Sequence, residues 1–401
     1  MNLKILLVNH FPLEGSGSGV YTKNLAKALV SFGHEVKIIY PEHEQKEYEG
    51  FESRIILFKG PFTTKYDLDF NFPCFTSHPR SNTTYYELSD MQMKQYIDKY
   101  VEVVQEEVDK FKPDLIHAQH LWITPYAAML TGVPYVITAH GTDLKGFVKD
   151  DRYHSFAIEA ASKAEKIITI SRQVDAETEQ LYKIPKEKRM IILNGYDESL
   201  FRPLPLDKNK ILTEFDVGDE ADCIVAFAGK LTHFKGVDVL LKAAKHYEQS
   251  TCGKVSTIIA GNGELYGELM RMKESLNLER VHFLGHVNQE TLVKMYNIAD
   301  VSVVPSRTEP FGLVAIEALA CGTPVVGTNQ GGLPDFIDDK VGRLVEVEDD
   351  LELAEAIMAE LGRTDKKSRG DYCAEYAVNG FSLEHSIKAV EELYEEILGK
   401  R

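Results

Sequence analysis

The sequence predicts an α/β protein made of two doubly wound domains in tandem. Three observations carry that reading. Apolar runs of four to seven residues alternate with longer stretches of helical period, the pattern of parallel strands covered on both faces by helices. The alternation stops in polar, proline-bearing sequence around residues 197–222 and then restarts. The chain, at 401 residues, is also too long for one ordinary hydrophobic core.

In the first set, strands are expected at 4–8, 36–40, 115–117, 135–138 and 167–170, with helices such as 21–32 and 92–111 beside them. The second set is expected at 224–228, 256–260, 281–284, 301–304 and 324–327. Phe201-Arg-Pro-Leu-Pro and Gly218-Asp-Glu lie between them, which gives domains of 1–200 and 205–378. Two such domains are expected to hold a ligand in the cleft between them, at the carboxyl ends of their strands. Residues 41–90 are aromatic-rich and lack a clear period. They read either as a surface excursion or as an insertion that shapes a pocket.

Composition narrows the function. A hydrophobic share of 44% and a charged share of 27% are ordinary for a globular protein. A formal net charge of -17 argues against a nucleic-acid partner. It leaves a small phosphate-bearing ligand open, because a few local lysines hold one. The five cysteines (Cys74, Cys223, Cys252, Cys321, Cys373) are scattered and form no CxxC pair, which fits a reducing compartment. The first apolar run ends at Asn9 and His10, so it reads as a buried strand and not as a signal peptide. No apolar stretch approaches the ~20 residues of a membrane span. The expected location is the cytoplasm.

The chemistry concentrates in Ser302-Val-Val-Pro-Ser-Arg-Thr-Glu-Pro-Phe-Gly-Leu-Val-Ala-Ile-Glu-Ala-Leu-Ala-Cys-Gly. A strand ends at Pro305, a loop carries Glu309, and a helix is expected to begin near Phe311 or Gly312. The first amides of such a helix lack intrahelical partners and sit at the positive end of its dipole, which suits a phosphate. Glu317 stands about 7.5 Å further along the axis, a plausible reach from a diphosphate to ribose hydroxyls. The plain structural reading makes Glu309 a helix-entry acid and Glu317 a solvated helix residue.

The Glu-x7-Glu spacing of Glu309 and Glu317, followed by Ala-Cys-Gly-Thr-Pro-Val-Val and Gly331-Gly332, resembles the retaining glycosyltransferases of family four. The resemblance runs from the first strand to the closing Tyr394-Glu-Glu-Ile-Leu. It implies the GT-B fold, two Rossmann-like domains facing a cleft, with a last helix of about 381–401 packed back on the first domain. Phe227-Ala-Gly-Lys230-Leu-Thr-His-Phe-Lys235-Gly resembles the segment that brings two cations to the donor diphosphate. The family commonly has Arg where Lys230 stands, and Lys lacks the planar fork of Arg. Gly15-Ser-Gly-Ser-Gly19 resembles the glycine loop that opens the first helix, with Ser18 in place of a usual glycine. The competing dinucleotide reading of that loop lacks its third glycine and its acid. Asp335 stands in Gly331-Gly332-Leu-Pro-Asp335 where the family often has Glu, on a loop expected to border the donor.

Thr138-Ala-His140-Gly-Thr-Asp143 matches the family segment whose histidine lies beside the donor sugar. The resemblance thus implies Lys230 and Lys235 on the diphosphate, and the amides around Phe311, Gly312, Leu313 and Val314 on phosphate. It also implies Glu317 on ribose, Glu309 on the sugar, and Gly19 and His140 from the first domain. His117, His120, Arg80 and Asp143 are acceptor-side candidates. No cofactor and no metal are expected, because Asp67-Leu-Asp69, formally a DxD, follows no nucleotide-binding strand.

The favoured donor is a UDP-sugar such as UDP-glucose or UDP-N-acetylglucosamine, with GDP-mannose second. A GT-B phosphorylase or epimerase and a sugar-nucleotide-binding protein without turnover are the alternatives. Residues 41–100 hold seven Lys/Arg against ten Asp/Glu, so contact with an anionic membrane is disfavoured. A small-molecule or glycan acceptor in water is expected, and a homo-oligomer is compatible with the sequence.

Overall fold

The computed structural model describes residues 2–76, 78–218, 221–248 and 254–399. Cys252, and Asp219-Glu220 of the expected linker, lie outside the described residues. The chain forms two compact units, residues 1–193 with 386–401, and residues 194–385.

The first unit holds β1 (Lys4–Val8), β2 (Glu35–Glu42), β3 (Glu52–Leu57), β4 (Leu115–Gln119), β5 (Tyr135–Ala139), β6 (Lys166–Thr169) and β7 (Arg189–Ile191). They pair in parallel in the order β3-β2-β1-β4-β5-β6-β7. The second unit holds β8 (Cys223–Ala228), β9 (Val255–Ala260), β10 (Val281–Gly285), β11 (Val301–Val304), β12 (Val325–Thr328) and β13 (Gly342–Val345). These are also parallel, in the order β10-β9-β8-β11-β12-β13. Every residue of β1 after Lys4, and all of β4, β5, β8, β9, β11 and β12, is buried, which is why these strands read as unbroken apolar runs.

The strands that sequence periodicity does not reveal, β3, β7 and β13, all lie at sheet edges. An edge strand covers less of its surface, and these carry polar residues (Glu52-Ser-Arg, Arg189, Arg343). The strand order reverses between β1 and β4 and again between β8 and β11. At such a switch point the connections leave in opposite directions and open a crevice at the carboxyl ends of the strands.

Residues 41–90 are not a surface excursion. Phe58, Phe72 and Tyr85 are fully buried, and Phe70, Phe75 and Cys74 nearly so. Phe75 and Tyr85, with Tyr96 and Tyr100, pack around His10, the second residue after β1, and Phe58 packs on Tyr96 and Phe72. His10 meets the Tyr96 hydroxyl through Nδ1, and the Tyr100 hydroxyl donates to the Asn9 carbonyl at 3.0 Å. The aromatic content of the segment is thus an extra layer of core, with no period because no single helix or strand carries it.

The last helix, Leu383–Gly399, buries Ile387, Val390, Leu393, Tyr394 and Ile397, an apolar stripe at helical spacing. Its Tyr394 hydroxyl lies 2.5 Å from His117 Nδ1 on β4, and Glu391 lies 2.9 Å from His34 Nε2. Within the second unit, Gly195 packs so tightly that an added Cβ would stand 2.4 Å from Leu383 Cα. Cys74, Cys223, Cys321 and Cys373 are buried.

Candidate active site

The motif residues of the second unit gather at the β8/β11 switch point. After β11 the chain turns through Pro305 and Ser306 to Glu309, whose side chain is almost fully buried. Two glycines shape that turn. Gly331 has a φ of +67°, and a Cβ there would stand 1.6 Å from the Glu309 carbonyl oxygen. The Gly332 amide donates to the same oxygen at 3.0 Å. Gly331-Gly332, expected to border the donor, therefore clamps the backbone of Glu309. Ser306 Oγ donates to Glu309 Oε2 at 3.2 Å, and Thr328 Oγ1 in β12 donates to the Ser306 carbonyl at 2.6 Å.

Lys235 ends a tight turn, His233–Lys235, and its Nζ lies 2.5 Å from Glu309 Oε2. Gly236 (φ +64°) lets that turn close, since a Cβ there would stand 2.0 Å from the Pro305 carbonyl. Arg307, which the motif reading passed over, joins the two loops. Its guanidinium donates to both oxygens of Asp238 at 2.8 and 2.7 Å, to Glu348 and to the His233 carbonyl, while its amide donates to the Phe234 carbonyl. An arginine two residues before Glu309 in the motif string was the available signal.

Lys230 is exposed beyond β8, on backbone fixed by Gly229 N to Ala260 O and Leu231 N to Asn262 O, both 3.0 Å. Gly261 and Gly263 are needed for this contact; a Cβ on either would stand 1.8 or 2.3 Å from the Gly229 or Leu231 carbonyl.

The following helix begins at Leu313, with Gly312 (φ +101°) as its first flanking residue and no side-chain cap. Leu313 and Val314 are partly exposed while Phe311 is buried against Phe336. Uncapped amides at a helix start suit an anion. Glu317 is buried, contrary to the solvated reading, and burial pushes its carboxyl up to about 8.

In the first unit, Ser16 caps the helix Gly17–Ser31 by accepting from the Gly19 amide at 3.1 Å. That amide is therefore already engaged, and Gly19 is a glycine because a Cβ would stand 2.0 Å from the Pro12 carbonyl. His140 directly follows β5. Its amide donates to Asp143 Oδ1 at 3.2 Å, and its Nε2 lies 2.9 Å from Gln119 Oε1. The rings of Tyr21 and His120 pack on it at 5.3 and 4.7 Å. Burial, reinforced by His120, holds its imidazole well below the usual histidine range, so it is neutral at physiological pH.

Three acceptor-side candidates are committed within the fold. His117 is fully buried with Nδ1 on Tyr394 and Nε2 on Thr138 Oγ1 at 2.7 Å, so neither ring nitrogen is left for an acceptor. Asp143 accepts from the Leu121 and His140 amides. Burial raises its carboxyl, but the His120 ring, His140 and the Leu121 amide together outweigh that and hold it low. Arg80 makes a paired contact with the buried Glu42 and donates to the Glu14 carbonyl. His120 is buried at a φ of +71° with neither ring nitrogen hydrogen-bonded among the described residues. Asp67 accepts from the Leu57 amide at 2.8 Å.

Two family models match the chain: Glycosyltransferase Family 4 over residues 15–200 and Glycosyl transferases group 1 over residues 213–375. An uncharacterised glycosyltransferase of Methanocaldococcus jannaschii is 31% identical over 352 residues, covering 85% of this chain and 84% of that protein. The chain belongs to the family 4 glycosyltransferases. A D-inositol 3-phosphate glycosyltransferase of Corynebacterium jeikeium is 32% identical, covering 71% of this chain and 72% of that one. Among solved structures, sucrose-phosphate synthase from Thermosynechococcus elongatus superposes with a TM-score of 0.79 at 22% identity, covering all of both chains. The fold of the glycosyltransferase is GT-B.

The raised carboxyl of Glu317 has a stability consequence. Its pKa rises from 4.5 to about 8 on folding, so the folded state binds this proton more tightly than the unfolded chain. Ionising it costs stability, a cost that begins as pH rises above about 4.5 and levels off above about 8. Glu317→Gln removes the cost. The ligand-free variant should be more stable than wild type at pH 7.5, by an order of 1–3 kcal/mol, and the gap should close towards pH 4.5. Thermal melting across that range checks it; a variant that melts lower at pH 7.5 contradicts the assignment.

Proposed function

We propose that this glycosyltransferase moves a sugar from a UDP-sugar to a small, water-soluble acceptor, with retention of anomeric configuration and without a metal. The observation that carries the reading is the contact of Lys235 with Glu309 immediately before the uncapped start of the Leu313–Ala320 helix. Cation, carboxylate and free amides are the groups that a sugar diphosphate requires. In this reading Lys230, Lys235 and the amides of Leu313 and Val314 take the diphosphate, Glu317 accepts from ribose hydroxyls, and Glu309 leaves Lys235 to accept from the sugar. A cation about 4 Å from a phosphate oxygen is worth roughly 4 kcal/mol at an effective dielectric of 20. It gains strength as charge grows on the leaving group.

The reaction is a front-face displacement. The bond from the anomeric carbon to the phosphate oxygen breaks, and the acceptor oxygen bonds to the same face. The acceptor proton passes to the departing phosphate. No pair of carboxylates at hydrolase spacing is needed. His140, neutral by burial, hydrogen-bonds the sugar and holds it for attack. The net charge of -17 and the C. jeikeium relative, whose name gives a small phosphorylated cyclitol as acceptor, support an acceptor free in water.

Two outcomes test the reading. EDTA leaves most transfer intact, measured as product mass from a panel of nucleotide sugars and acceptors; complete loss that magnesium or manganese restores contradicts it. His140→Ala cuts turnover by roughly a hundredfold or more while calorimetry finds nucleotide binding nearly unchanged, whereas Lys235→Ala weakens both. Equal losses in binding and turnover for His140→Ala assign that residue to the scaffold.

A further inference from the structure

Gln119 lies outside every motif of the sequence, yet its surroundings single it out. It is the last residue of β4, in register with Thr138 of β5, so its side chain and His140 meet at the ends of adjacent strands. Its backbone is held by Thr124 Oγ1, which donates to its carbonyl at 2.7 Å. His120 then turns sharply at a φ of +71° and donates its amide to the Thr138 carbonyl at 2.8 Å. A non-glycine residue holds that backbone region only where its surroundings impose it. Gln119 Oε1 lies 2.9 Å from His140 Nε2, while Gln119 Nε2 is fully buried and makes no hydrogen bond among the described residues. An unsatisfied buried amide in an otherwise well-bonded interior calls for an explanation.

We propose that Gln119 is a positioning residue that holds the His140 imidazole with its proton on Nε2, leaving Nδ1 to accept from a hydroxyl of the donor sugar. The argument is one of donor and acceptor count. An amide oxygen only accepts, so the ring must donate through Nε2, and a neutral imidazole carries one proton. Nδ1 is then a lone-pair acceptor, and it is not among the buried polar atoms that lack partners. Asp143 fixes the main chain of the same residue through the His140 amide, so ring and backbone are set by two different neighbours. The groups facing the ring are Tyr21 from the first helix, His117 on β4, His120 after it, and Asp143 from the helix that follows. Of these only Asp143 favours a protonated ring, and burial outweighs it.

The proposal rests on the reading of His140 given above, but its first test does not need turnover. Nitrogen-resolved NMR of the resting enzyme, with His140 assigned by its loss in His140→Gln, should find the proton on Nε2. A proton on Nδ1 overturns the proposal, because the amide would then face the ring with its NH2. Gln119→Leu should give a mixture of the two forms and lower kcat about tenfold to a hundredfold, with the Kd for UDP unchanged.

Gln119→Glu keeps the accepting oxygen and adds a charge. It should retain the Nε2 proton and most of the activity at high pH, and move the acidic limb of the kcat profile up by about one pH unit or more. An acidic limb that stays where wild type has it overturns the proposal, as does a Gln119→Leu enzyme with wild-type tautomer and kcat. If Gln119→Leu does not fold, Gln119→Glu decides alone. A wild-type enzyme that transfers no sugar would refute the proposed function, while the position of the His140 proton would still judge Gln119.

Discussion

The arrangement of the second unit depends on keeping Glu309 and Lys235 in contact at the end of two neighbouring strands. A carboxylate that is nearly buried needs a partner of opposite charge or it takes up a proton. Lys235 is that partner, and several otherwise unrelated features exist to bring it there. Gly236 lets its turn approach Pro305, Gly331 and Gly332 let a second turn close over the Glu309 carbonyl, and Arg307 ties both loops to Asp238 and Glu348. The switch in strand order between β8 and β11 makes room for the pair. In the proposed function, a nucleotide diphosphate entering this site takes over the cation and releases the carboxylate from the resting contact.

The first unit uses a different chemistry. Around the ends of β1, β4 and β5 it buries His10, His117, His120 and His140 among aromatic rings. Burial alone pushes His117 down to about 3, and His10 and His140 are driven the same way, burial first and the His120 charge second. The imidazoles of His10, His117 and His140 thus act as neutral donors and acceptors, which suits sugar hydroxyls better than phosphate.

The buried strands and the motif loops were legible in the sequence because each leaves a local trace. β1 and β11 have the bounds that their apolar runs predict, His140 directly follows β5, and Glu309 and Lys235 stand in the loops beyond β11 and β8. What was not legible depends on contacts between distant segments. The edge strands β3, β7 and β13 have apolar runs that are short or broken by polar residues, as in Glu52-Ser-Arg, Arg189 and Arg343. A carbonyl at Pro12 requires a glycine at position 19, and His117 is committed to a tyrosine 277 positions away. Gln119 and Arg307 belong to the same class: each acts on a motif residue through tertiary contact. The burial of Glu317 did have a local sign that the solvated reading passed over, since Leu313–Ala320 is apolar at every other position, the composition of a helix buried all round.

The central claim is that Glu309 exchanges Lys235 for the donor sugar, and Glu309→Gln tests it most directly. The substitution keeps the shape of the side chain and removes its charge. Calorimetry with UDP and with the UDP-sugar that wild type transfers, alongside the rate of transfer, separates the two roles. The account predicts that UDP binds the variant at least as tightly as wild type, because Lys235 is no longer held by a carboxylate. The added affinity due to the sugar and the transfer rate should both fall sharply. Wild-type transfer by Glu309→Gln, or a loss of UDP affinity equal to its loss of transfer, would contradict the account.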